Sequence, residues 1–110
     1  MALSDKPWGN IGMMDYADAQ DFCDASLLDQ NQPGQPKIKT NCKLQVREPK
    51  AMGGMVNRNG MAACAAALAG ARTPLQASPA EKRSAARKLI QLYRENNMTP
   101  PASTTRLAQG

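Results

Sequence analysis

Three cysteines, nine carboxylates and fourteen cationic side chains carry most of the reactive chemistry open to this chain of 110 residues, which has no histidine. Without an imidazole, proton transfer near neutral pH falls to a carboxylate or lysine whose pKa has been displaced. Six of the carboxylates (Asp5, Asp15, Asp18, Asp21, Asp24 and Asp29) crowd into the first 36 residues. Most of them share one wet helix face, where displaced pKa values are not expected. Ser78 is better explained as a helix cap than as a nucleophile, and Gly53-Gly54 is a bare pair with no phosphate-cradling loop around it. Cys23, Cys42 and Cys64 are odd in number, widely spaced and without a histidine to complete a zinc site. Cys23 and Cys64 fall on predicted helix faces and read as small buried hydrophobes. The pattern is that of a binding protein, not an enzyme, and it implies no metal or cofactor.

Charge is unevenly spread. Residues 1–36 hold six Asp against Lys6, residues 37–71 hold six basic residues against Glu48, and residues 72–110 hold seven basic residues against two Glu. An acidic third facing a basic remainder implies either internal pairing or two poles that meet different neighbours. Lys82, Arg83, Arg87, Lys88 and Arg94 form a basic row on the last predicted helix, with Arg83, Arg87 and Arg94 on one flank at spacings of four and seven. Such a row suits phosphates. It equally suits a solvated flank or an acidic helix. No aromatic residue interleaves it, which argues against single-strand binding.

These residues depend on a segment from Val56 to Pro101 that reads as two helices joined by a hinge. Ser78-Pro79-Ala80-Glu81 combines a cap, a proline suited to the first helical position and a Glu that returns the capping bond. Ala86, Leu89, Ile90 and Tyr93 then fall on one face, and Asn96, Asn97 and Pro100-Pro101 end the helix. The partner helix starts at Asn57 or Asn59, with Met61, Cys64, Ala65 and Leu68 as its buried stripe and alanines elsewhere. Gly70 and Thr73-Pro74 end it, leaving Leu75 to tuck between the pair.

Around the pair, residues 1–14 read as an arm whose Trp8 is either an anchor into a partner or a lid over the chain's own core. Residues 15–30 read as an acidic helix capped by Asp15, with Ala19, Phe22, Cys23, Ser26 and Leu27 on its apolar side. Residues 31–55 read as an extended arm, in which Leu44 and Val46 alternate with Gln45 and Arg47 as a short strand. That strand has only the Ile38 region or a neighbouring subunit to pair with. Residues 102–110 read as a loose polar tail. With four aromatic residues, eight prolines and eight glycines, the core is thin. The expected fold is a mainly α, small helical domain built on the helix pair plus the N-terminal helix, with extended arms and one short strand or hairpin. Order in the arms is expected to come from a partner.

The blocks Cys42-Lys43-Leu44, Val46-Arg47-Glu48-Pro49, Gly54 and Val56-Asn57-Arg58-Asn59-Gly60 resemble a small helical domain common in tailed-bacteriophage structural-gene modules. So do residues 66–72, Ala85-Ala86-Arg87-Lys88-Leu89, Leu92-Tyr93-Arg94 and Pro100-Pro101. Trp8, Asp15-Tyr16, Phe22-Cys23, Ser26-Leu27 and Asp29 are similar to the longer version of that domain. The chain departs from the family pattern at Thr73-Pro74-Leu75, where a glycine-rich hinge is more usual. The family occurs alone or beside head-maturation protease and head-protein regions. The resemblance implies a virion structural protein, a decoration, cement or minor head protein on the major capsid protein lattice, with copies of itself as further neighbours. Trp8, Leu44 and Val46 would supply apolar contacts to that partner, and Arg47, Arg58 and Arg87 polar ones. The alternative is a nucleic-acid-binding accessory factor using Lys82, Arg83, Arg87, Lys88 and Arg94. No run is apolar enough to span a membrane, and the first ten residues lack a signal-peptide core. Synthesis and assembly in the host cytoplasm are therefore expected.

Overall fold

Asn57 starts the first helix of the central pair: its side-chain oxygen accepts the Gly60 N–H at 2.9 Å, which satisfies one of the donors left open at a helix start. The computed structural model describes residues 3–70 and 75–109. Its helices are α1 (Ala19–Asp24), α2 (Arg58–Leu68), α3 (Pro79–Glu95) and α4 (Ala102–Gln109), and its strands are β1 (Ser26–Asp29) and β2 (Cys42–Gln45). Short 3-10 turns lie at Trp8–Asn10, Met13–Asp15, Lys39–Asn41 and Lys50–Met52.

The central pair forms as its local signals dictate. The Ser78 hydroxyl accepts the Glu81 N–H at 3.1 Å, and the Glu81 carboxylate accepts the Ser78 N–H at 2.8 Å. Met61, Cys64, Ala65 and Leu68 of α2 face Ala86, Leu89, Ile90 and Tyr93 of α3 within one buried cluster. Leu75 packs partly buried against that cluster. Thr73 and Pro74, expected to end the first helix and form the hinge, lie outside the described residues.

The mainly α expectation is overturned. Among the described residues helix, 3-10 turns included, accounts for 52% and strand, isolated bridges included, for 12%, a mixed α and β domain. The acidic helix is one and a half turns long, and its cap is Asp18, whose carboxylate accepts the Asp21 N–H at 2.9 Å. Asp15 instead closes a 3-10 turn, accepting the Gly12 N–H. After Asp24 the Ser26 hydroxyl donates to the Phe22 carbonyl at 2.8 Å, a local bond that competes with helix continuation. Leu27 and Leu28 then enter β1, which pairs antiparallel with β2 in the register Ser26↔Gln45, Leu28↔Lys43 and Asp29↔Cys42. The strand around Leu44 and Val46 thus finds its partner inside the chain, in neither the Ile38 region nor a neighbour. Leu44 adopts φ +67°, a left-handed conformation costly for a branched side chain. It is held by burial of its own side chain and by pairing on either side.

The arms are folded in. Ser4 donates its N–H to the Val56 carbonyl and accepts the Arg58 N–H, both at 2.9 Å, so the N-terminal segment adds a parallel bridge beside Asn57. Residues 102–109 form α4 along α3, with Thr104 and Ala108 buried. The radius of gyration of 13.3 Å is that of a folded chain of this length, roughly 13 Å. An extended-arm architecture would exceed it.

Cys23 and Cys42 form a disulfide across 19 residues of sequence, between the end of α1 and the start of β2. Cys23 is therefore a crosslink and not simply a buried apolar residue, and with Tyr16, Phe22, Ala25 and Cys42 it makes a second small core. Tyr16 and Phe22 meet edge to face there, with ring centroids 5.0 Å apart.

Candidate functional site

Trp8 sits half-buried on the 3-10 turn after Pro7, its ring laid over the backbone of Gly60. The turn is placed by the bridge from Ser4 and by the Lys6 carbonyl, which accepts from the side-chain amides of Asn57 and Asn59, both at 3.1 Å. Beneath these lies Glu48, 1% exposed, one carboxylate oxygen accepting from Asn57 Nδ2 at 2.9 Å and the other 3.8 Å from Lys6 Nζ. Burial by itself would raise the Glu48 carboxyl. The neighbouring Ser4 hydroxyl, the Asn57 amide and the Lys6 ammonium outweigh it and hold the group below its ordinary value.

The Trp8 ring stands between two hollows of mixed polar and apolar lining. One, of about 210 Å³, is lined by Trp8, Leu44, Gln45, Ala63, Cys64 and Ala67. The other, of about 140 Å³, includes Ile11, Met13, Tyr16 and Phe22 and shares Trp8 and Gln45 with the first. Ala63 of α2 stands exposed at the rim of the first hollow, and Met13 and Met14 are 41% and 95% exposed on the adjoining turn. The face therefore combines a fixed aromatic ring, a low alanine surface and flexible methionines, side chains that suit contact with another protein.

The titratable groups around this face do not form a reactive set. Cys64 donates its thiol to the Gln45 carbonyl at 3.2 Å, and burial pushes its pKa up to about 12, far from a reactive thiolate. Tyr16 is raised to about 12, first by burial and then by Asp21 and Glu48, and it donates to the Arg47 carbonyl at 2.5 Å. Cys23, Asp29 and Cys42 place their ligand atoms within 4.8 Å of one another. The two sulfurs are bonded to each other, Lys37 sits on Asp29 and the Asn31 amide rests 3.6 and 3.4 Å from the sulfurs. This is a crosslink with its polar support, and the cysteines have no thiolate to offer a metal.

Of the residues expected to contact a partner, the structure brings Trp8 and Leu44 together at one hollow. Leu44 and Val46 are 8% and 2% exposed and serve the chain's own core, so a partner would meet at most the rim of Leu44. Arg47 is half-buried beside Asp21, Asp24 and Lys50. Arg58 Nε pairs with Asp5 at 2.9 Å, and Arg87 Nε donates to the Ala108 carbonyl at 3.2 Å, so the three arginines belong to different neighbourhoods. Lys88 crosses to the Leu27 carbonyl at 3.3 Å, on the opposite flank of α3 from Arg87. Among the described residues all four ion pairs join the acidic first third to residues 37–71: Lys6–Glu48, Lys37–Asp29, Lys50–Asp24 and Arg58–Asp5. None reaches Lys82, Arg83 or Arg94. Gln45, Ala63 and Ala67, which complete the Trp8 hollow, carry no local sequence signal of that role beyond the alanine richness of α2.

No family model, curated protein or solved structure matches this chain.

Proposed function

We propose that the protein is a small structural component of a bacteriophage virion that docks on the major capsid protein lattice through the face divided by Trp8, as a decoration, cement or minor head protein. The observation that carries this reading is the prefolded Trp8 face: a half-buried indole pinned over Gly60, hollows on both sides, and the exposed Ala63 and Met13 at their rims. A rigid aromatic at the centre of a shallow apolar surface is a common energetic anchor of protein interfaces. The sequence resemblance to the tailed-phage head-module domain supports the choice of partner. The Cys23–Cys42 crosslink also accords with residence in a particle, since disulfides persist on virion surfaces. On this reading the chain is assembled in the host cytoplasm, is carried in the head and presents a finished surface to the lattice, where copies can also meet one another.

The test is co-sedimentation with heads of the phage that encodes the chain. Ala63 is exposed at the rim of the larger hollow, so Ala63→Glu blocks the hollow and leaves the core intact. Wild-type protein sediments with heads and the variant stays in the supernatant at unchanged melting temperature. Failure of the wild-type protein to bind heads, or binding by Ala63→Glu and Trp8→Ala as strong as that of wild type, refutes this assignment.

A further inference from the structure

Arg83, Arg87 and Arg94 lie within a narrow arc of α3, and α4 runs beside them. Arg87 and Arg94 line a groove of about 270 Å³ with Ile90 as its floor and Thr105, Ala108 and Gln109 as its far wall. Arg87 spends its Nε on the Ala108 carbonyl, which fixes the guanidinium across the groove and leaves its two terminal nitrogens to donate elsewhere. At 1.5 Å per residue the three arginines extend over roughly 16 Å of helix.

Among the described residues no carboxylate side chain forms an ion pair with this flank. Asp5, Asp24, Asp29 and Glu48 are engaged by cations of the first two thirds of the chain. Asp15, Asp18 and Asp21 accept backbone N–H groups near their own turns. On α3 itself, Glu81 is tied into its capping box, and Glu95 lies roughly 100° around the helix from Arg94. The basic flank therefore looks outward for its counter-charge.

The geometry points to the phosphate backbone of a nucleic acid duplex as the ligand of this groove, separate from the Trp8 face. An acidic protein segment would need an apolar anchor as well as charge. Ile90 and Ala108, each 8% exposed, are already committed to the core. Single strands need exposed aromatic platforms, and Tyr93, the aromatic residue of α3, is 6% exposed. A duplex backbone needs only a straight row of cations with polar neighbours, which Thr105 and Gln109 supply.

Fluorescence anisotropy with the intact protein and a labelled random-sequence DNA duplex tests this from about 50 to about 200 mM salt, where three phosphate contacts give a slope of log K against log salt near −2.7. Arg87 also holds α4, so the variants that carry the test are Arg83→Ala and Arg94→Ala, each reducing the slope by about one. Arg58→Ala, at the Asp5 ion pair, leaves it unchanged. Absence of salt-dependent binding, slopes indifferent to Arg83 and Arg94, or polyglutamate bound as tightly as the duplex overturns the assignment. Head co-sedimentation is a separate measurement, so the two readings fail independently.

Discussion

The indole of Trp8 rests on Gly60 so closely that a Cβ at that position would stand 3.1 Å from three of its ring atoms. Gly60 lies in the first turn of α2 and is buried. A glycine there costs about 1 kcal/mol of helix stability relative to alanine, and the lost propensity is what allows the ring its seat. Gly60→Ala is expected to lift the ring while gaining helix propensity, leaving overall stability within about 1 kcal/mol of wild type. Tryptophan emission should shift to the red and head binding should weaken. An unchanged spectrum would show that the ring is not seated on Gly60.

The Cys23–Cys42 bond closes a loop of sequence separation 19 that contains β1 and the proline-bearing segment 31–39. A loop of that length restricts the unfolded chain by about 3 kcal/mol. Reduction, or the Cys23→Ser and Cys42→Ser pair together, should lower stability by about that amount in a urea titration with and without reductant. Loss of less than about 1 kcal/mol would mean that the crosslink does not form or does not matter.

Glu48 predicts an acid limit to stability. Its carboxyl titrates below its ordinary value of 4.5 in the folded chain, so in that window the unfolded chain binds the proton more readily. The stability contributed by this group is complete above pH 4.5 and is lost as pH falls through the folded pKa. Glu48→Gln should lower stability at neutral pH by about 1–3 kcal/mol and flatten the fall in melting temperature on acidification. A melting curve whose pH dependence is identical in the variant would assign the acid limit to other carboxylates.

Ala108 places the chemistry of α4 against the core. It is 8% exposed in the main apolar cluster, and a phenylalanine there would overfill the packing of α4 against α3, at a cost of about 1–3 kcal/mol. Ala108→Phe should loosen α4, exposing the amides of residues 102–109 to fast hydrogen exchange while those of α2 stay protected. Retained protection in α4 would contradict the packing described.

The parts of this molecule that were legible in the residues are those whose causes are local. Ser78, Pro79 and Glu81 specify the start of α3 by bonds within one turn, and Met61, Cys64, Ala65 and Leu68 share a face of α2 wherever that helix is placed. The parts that were not legible depend on partners distant in sequence. Leu27 and Leu28 suit a helix as well as a strand, since two adjacent leucines carry no period, and the choice was made by Cys42–Gln45 and by the crosslink beside it. The polar run Ala102–Gln109 reads as a tail until Thr104 and Ala108 meet α3. Trp8 stood between anchor and lid, and its seat depends on Gly60, more than fifty positions away.

Composition, the absence of histidine, the capped helix pair and the basic flank of α3 were all determined by the amino-acid sequence alone, because each follows from residue type or from spacing within a few turns. Folding of the arms into the body, pairing of β1 with β2, the crosslink and the two hollows beside Trp8 were decided by tertiary structure. Each of these requires groups far apart in the chain to come together and release one another from water, an equilibrium that no local pattern records.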